Sequence, residues 1–120
     1  MRAFAASAMG AAVVAASCTS TVPTSDVEAR PFFQGASAEA RSSAYSTMQT
    51  ALEKTLSGEP SSWQVSDREF GTLRPVETWK SQSGHWCRRY DETAFIGGVS
   101  RKREKIACRN DGRWEVVGGR

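Results

Sequence analysis

Histidine is almost missing from this chain: His85 is the only one in 120 residues. With no second His beside it, an imidazole-based metal site has no ligand set. Glycine-rich GxGxxG and phosphate-loop signatures are absent, which removes nucleotide binding through those motifs. No nucleophile-elbow sequence surrounds a serine, and scattered residues do not define a Ser-His-Asp triad. Asp91 and Glu92 are neighbours, so on a strand they face opposite sides and do not form an acid–base pair. Strong charge of one sign is also lacking. The 16 Lys+Arg against 13 Asp+Glu leave +3, which is not the balance of a dedicated nucleic-acid binder. No apolar run reaches the roughly 20 residues that a permanent bilayer-spanning helix needs. We therefore expect no catalysis, no metal, no cofactor and no nucleic-acid partner.

What is present begins with residues 1–17, MRAFAASAMGAAVVAAS. One cation, Arg2, precedes a short uncharged apolar stretch that ends in small residues, the pattern of a cleaved signal peptide. Without Arg2 the balance is 15 against 13, or +2. Ala15-Ala16-Ser17 then meet Cys18. This resembles the lipobox of bacterial lipoproteins, although the usual Leu three residues before the Cys is Ala15 here. The resemblance implies a diacylglycerol on the Cys18 thiol. Thr19 stands where an Asp commonly marks retention in the inner membrane, so it implies the outer membrane. The other reading is an ordinary secretory signal cut at an Ala-x-Ala-like site. Either way the chain leaves the reducing cytoplasm. The cysteine count is odd, with Cys18, Cys87 and Cys108. The simplest account is one lipid-modified Cys and one disulfide pair.

Residues 18–36 are expected to be the lipidated Cys and a flexible tether, because 19–35 are rich in Ser, Thr and Pro with no apolar period. Phe32-Phe33 is the sticky point of that stretch, read as a hydrophobic contact with the domain. A domain is expected over 37–120. Its helix spans 37–56: Ser37 can N-cap it and Glu39 suits the first turn. Ala44, Tyr45, Met48, Leu52 and Leu56 recur at helical steps. Gly58 and Pro60 stop it. Beyond Ser61 the pattern predicts strands over 62–66, 70–80, 85–96, 99–109 and 113–117, the second bent at Pro75. Gly97-Gly98 and Asp111-Gly112 are hairpin signals. The class is thus α+β: one helix on an antiparallel meander of about five strands, stapled by one disulfide.

The hairpin can be checked against the cysteines. A two-residue loop at Gly97-Gly98 sets Ile96 opposite Val99. Nine steps outward on each strand bring Cys87 opposite Cys108. That pair falls at a non-hydrogen-bonded site, where Cα atoms are roughly 4.5 Å apart, within disulfide reach. The same register sets Glu92 against Arg103, which is favourable. It also sets Asp91 against Glu104, which is not, unless a bulge intervenes.

The stretches MQTALEKTLSGEPSSWQV, GTLRPVETWKSQSGHWCRRY, IGG and KIACRNDGRWEVVG carry a resemblance. They are similar to the C-terminal domain of the rickettsial 17 kDa surface antigen family of outer-membrane lipoproteins. Matching positions include Ala51-Leu52-Glu53, Gly58, Trp63, Gly71, Pro75, Gly84, Cys87-Arg88, Tyr90, Gly97-Gly98, Ala107-Cys108-Arg109, Gly112 and Trp114. The resemblance covers about 70 residues and implies location and fold more than mechanism. Family members usually carry a glycine zipper between anchor and domain. Residues 19–35 hold one Gly and no apolar run, so no membrane-embedded role carries over.

Two features remain. Arg101, Lys102, Arg103 and Lys105 form a basic run, joined by Arg88 and Arg89 on the neighbouring strand. They read either as a solvated strand with edge-protecting charges or as a candidate contact for anionic envelope polymer or an envelope protein. Trp63, Trp79, Trp86 and Trp114 are expected mainly in the core. Two on one exposed face would make a glycan- or peptide-binding platform. The expected role is an outer-membrane-anchored, surface-antigen-like lipoprotein that is structural or acts by binding. The alternative is a periplasmic binding or inhibitor domain recognising a protein or cell-wall glycan.

Overall fold

The computed structural model describes residues 32–119. The leader, Cys18 and the tether as far as residue 31 lie outside the described residues. One helix, α1 (Ala38–Lys54), precedes five strands: β1 (Ser61–Ser66), β2 (Glu69–Lys80), β3 (Trp86–Ile96), β4 (Val99–Asn110) and β5 (Arg113–Gly119). They form one sheet in the order β1-β2-β3-β4-β5, each pair antiparallel. The expected α+β class and meander hold.

The helix starts as its sequence directs. Ser37 is extended, and its hydroxyl accepts from the Ala40 N–H at 3.0 Å. A second support comes from β2, where the Glu69 carboxylate accepts from the Ser37 N–H at 2.7 Å and its hydroxyl at 2.8 Å. The helix ends at Lys54, two residues before the expected Leu56. Its buried stripe also differs from the expected one. Ala40, Ala44, Met48, Ala51 and Leu52 face the sheet, while Tyr45 and Leu56 are exposed. Small alanines let the helix lie close to the sheet, and the bulkier Tyr45 and Leu56 fall off that line.

Two apolar clusters fill the space between helix and sheet. One joins Met48, Ala51 and Leu52 to Leu73, Tyr90, Ala107 and Trp114. The other joins Ala40 and Ala44 to Trp63, Ala94, Ile96 and Phe32. Phe32 is therefore a core residue, and the folded unit reaches back beyond Ser37. The hydrophobic contact expected of the Phe pair is present, with Phe33 packed at its margin.

The β3–β4 register is the expected one at every pair, from Ile96↔Val99 to Cys87↔Cys108, with no bulge. Cys87 and Cys108 are disulfide-bonded, with Cα atoms 4.0 Å apart. Gly97 and Gly98 both have positive φ, as do Asp111 and Gly112, the conformation a two-residue hairpin loop needs. Asp91 does lie opposite Glu104. The clash is relieved sideways: Arg74 pairs with Asp91 at 3.4 Å and Arg89 with Glu104 at 2.8 Å. Pro75 sits at a register shift in β2, beyond Leu73, the last residue of β2 paired to β1. Its missing N–H therefore breaks no ladder bond on that side, and its carbonyl accepts from the Gly58 N–H at 2.7 Å.

Gly71 lies opposite Trp63. A Cβ there would stand 2.5 Å from the Thr93 carbonyl oxygen and 2.7 Å from the Trp63 indole nitrogen. The indole covers the bare backbone, and the Thr93 oxygen belongs to a sheet that holds it fixed. Gly71→Ala is expected to destabilise the domain by about 2 kcal/mol through overpacking. A urea midpoint unchanged from the parent would count against this packing.

Candidate functional site

Strand alternation divides the six basic residues proposed as a patch. Arg88, Arg101, Arg103 and Lys105 share the helix-side face, while Arg89 and Lys102 share the other. Lys102 is exposed, Arg89, Arg101, Arg103 and Lys105 are half-buried, and Arg88 is buried. They make no single surface. β5 pairs with β4 only from Lys105 to Asn110, so Arg101, Lys102 and Arg103 lie on a stretch of β4 whose outer edge no described strand covers, where charges protect an edge. Each arginine has a specific partner. Arg101 donates to the Phe32 carbonyl at 2.6 Å. The Arg103 guanidinium stacks on the Phe32 ring, 4.1 Å from its centre, and donates to Glu92 at 2.8 Å. Arg89 bridges Glu77 and Glu104 across the opposite face.

Glu92 is the buried member of its pair, 3% exposed. Burial pushes its carboxyl above the ordinary value of 4.5, with Arg103 pulling in the other direction. The folded domain therefore holds this proton more tightly than the unfolded chain does. Its contribution to stability is complete below pH 4.5 and is lost as pH rises through the raised value. Glu53 and Glu69 have the opposite sign. Hydrogen bonds from Arg109 and Trp114, and from Ser37, lower them, so their contributions are lost as pH falls. Glu92→Gln is expected to flatten the decline of the urea midpoint as pH rises above 4.5. An unchanged slope would remove Glu92 as its source.

Arg88 has a different setting. Its side chain runs under the last turn of α1. Nη1 donates to the carbonyls of Leu52 at 2.8 Å and Ala51 at 3.3 Å. Nε donates to the Thr78 hydroxyl at 2.8 Å, and Nη2 to that of Ser57 at 3.3 Å. The Ala51 carbonyl also accepts from the Thr55 N–H at 2.9 Å, while the Leu52 carbonyl, past the last backbone bond of the helix, depends on Arg88, and the cation sits at the negative end of the helix dipole. None of the described carboxylates pairs with it within ion-pair distance. Burial lowers its pKa from the ordinary guanidinium value.

Arg88 lines a cleft of about 540 Å³ at the C-terminal end of α1. Trp86, Trp114 and Leu52 supply its apolar lining, and Lys54, Arg109 and Glu53 its charges. Trp114 is locked in place. Its indole N–H donates to Glu53 at 2.9 Å, and its backbone exchanges two hydrogen bonds with the Gln49 amide. Arg109 donates to the same Glu53 oxygen at 2.8 Å. Trp86 is free on one side and 51% exposed, and Leu56 beside it is 69% exposed. Of the other tryptophans, Trp63 is buried and Trp79 half-buried. Trp79 lies opposite Cys87, one step out of phase with Trp86, so the two do not form one platform. Leu56 falls past the observed end of the helix and has no sheet to face. His85 sits exposed in the β2–β3 turn. Among the described residues no group of three His, Cys, Asp or Glu could hold a metal ion.

A family model described as "17 kDa outer membrane surface antigen" matches residues 50–115, just over half of the chain. This stretch contains both bonded cysteines and the whole cleft lining, Arg88 included. The 17 kDa surface antigen of Rickettsia bellii is 40% identical over 73 residues, covering 59% of this chain and 46% of that protein. That of Rickettsia prowazekii has the same identity and coverage, and that of Rickettsia felis is 41% identical over 73 residues. The chain spans about half the length of the curated relatives it matches. No solved structure matches it.

Proposed function

Since the chain belongs to the 17 kDa outer membrane surface antigen family, we propose that it is an outer-membrane-anchored lipoprotein with a structural or binding role in the cell envelope. The family description names a surface antigen and no catalysed reaction, in keeping with a protein that is not an enzyme. The disulfide carries the reading. Cys87 and Cys108 are joined, which supports an oxidising compartment and leaves Cys18 as the odd thiol. Cys18 follows the small residues Ala15-Ala16-Ser17, the context in which a lipoprotein Cys is acylated. A folded unit that begins by Phe32 then hangs from that anchor by a short tether. Contact with an anionic envelope polymer falls to Lys102, the exposed member of the basic set.

Intact mass from the native membrane, with thiol alkylation before and after reduction, tests this. The expected result is a chain starting at Cys18 with acyl chains, and two thiols that appear only on reduction. An unacylated mass in a soluble fraction selects the alternative, a periplasmic binding or inhibitor domain that recognises a protein or cell-wall glycan. The cleft beside Trp86 is the feature that supports binding in either case. Two free thiols before reduction would undo the compartment argument.

A further inference from the structure

We infer that the cleft at the end of α1 is a binding site for the free C-terminal carboxylate of a short peptide, with that peptide's last side chain against Trp86. The inference deepens the binding role proposed above and names its ligand class. Three observations carry it.

The first is the charge of the cleft. Lys54, Arg88 and Arg109 line it against Glu53 alone, three cations to one anion, or +2. The second is Arg88. A guanidinium only 7% exposed is met by two carbonyls and two hydroxyls but no described carboxylate. A helix end offers roughly half a negative charge, so about half of the cation is left without a counter-charge in a partly desolvated place. Four of the guanidinium's five N–H groups are used in these bonds, which leaves one Nη2 N–H to donate to an incoming carboxylate in a charge-assisted bond. The third is exposed apolar surface at the same spot. Trp86 and Leu56 are among the most exposed large apolar residues of the domain, and Trp86 forms part of the wall next to Arg88. The Lys80 ammonium lies 5.8 Å from the centre of the Trp86 ring and holds it from one side. A ligand that suits all three is a monoanion joined to a small apolar group, which is the end of a peptide. A metal ion or a cation is repelled, and a wholly apolar ligand leaves Arg88 unanswered.

Such an end can come from a protein, with an L-residue, or from a cell-wall peptide, with a D-residue. The test is a titration of the isotope-labelled full chain in detergent micelles, followed by NMR. The probes are N-acetyl-Ala-Ala-Leu, its C-terminal amide, and N-acetyl-Ala-Ala carrying a terminal D-Ala. The expected result is a saturable shift of the Trp86 indole and Arg88 Nε–H signals with a free acid. Binding should be about tenfold weaker for the amide, the loss of one charge-assisted contact. Trp86→Ala should weaken the acid by a similar factor while the spectrum stays dispersed, since that side chain is half exposed. Arg88→Lys keeps the charge but removes the Nη2 donor at the cleft, and should lower affinity with the amide–acid difference reduced. A preference for the L or the D terminus identifies the source, and the site stands in both cases. Equal binding of acid and amide, or millimolar acid without movement at Trp86 and Arg88, overturns the inference. That failure leaves the anchor untouched. An unacylated mass removes the anchor and leaves the cleft standing.

Discussion

Arg88→Met should lower the stability of the domain by about 3 kcal/mol or more, the range seen when a buried polar centre loses one partner. Methionine restores much of the volume and none of the donors. Four acceptors lose their N–H: the carbonyls of Ala51 and Leu52 and the hydroxyls of Thr78 and Ser57. The hydroxyls can rotate towards water at the cleft. The Ala51 carbonyl keeps the Thr55 N–H, but the buried Leu52 carbonyl is left without a donor, which costs about 1–3 kcal/mol. The same side chain ties α1 to β2 and β3, so its loss also loosens the helix end. Arg88→Lys should recover part of the loss, because an ammonium reaches one or two acceptors but lacks the planar fork. Urea unfolding followed by far-ultraviolet circular dichroism reads both variants. A methionine variant within about 0.5 kcal/mol of the parent, the range of inert surface changes, would show that the guanidinium does not hold the helix.

The double change Cys87→Ser with Cys108→Ser should cost about 3 kcal/mol in the chain-entropy estimate for a loop closed over 21 residues. The bond links strands already paired in register, so its removal leaves the folded sheet as it is. Its effect falls on the unfolded chain, which regains freedom. The urea midpoint should drop while the folded spectrum stays unchanged, and reduction of the parent should reproduce the drop. The parent treated with reductant but showing no shift would mean that the bond adds nothing to stability. Cys87 and Arg88 are adjacent and brace opposite faces of β3, so combining the serine pair with Arg88→Met should give a non-additive loss.

The sequence was most legible where the interactions are local. The β3–β4 register followed from two glycines and a cysteine spacing, and the Ser37 cap from its own residue type. Glu69 reaches Ser37 from 32 residues away, and no local pattern marks that contact. The helix stripe was misread at Tyr45 and Leu56 because helical spacing alone does not choose between a large residue and the small Ala40 and Ala51 that fit a close approach. The basic set divides between two faces for a reason the strand itself contained. Arg88 and Arg89 are neighbours and must point apart, and Arg88 shares its face with Tyr90, Glu92, Ala94 and Ile96, all buried. Alternation would have moved Arg88 to the core side. The cleft was invisible in one dimension, because the end of α1 and strands β2 to β5 meet there only after folding.

The strand order of the sheet has a consequence for how the chain is made. Every strand pairs with its nearest neighbour in sequence, so no pairing waits for a distant segment to arrive. Folds of this local kind form quickly, and a single hairpin closes in about 1–10 μs, whereas thiol oxidation takes seconds to hours. The Gly97-Gly98 turn can therefore bring Cys87 and Cys108 face to face long before an oxidant acts. Zippering decides which thiols meet, and chemistry only records the choice. A third cysteine upstream then poses little threat of scrambling, since its competitor thiols are already side by side when they become reactive.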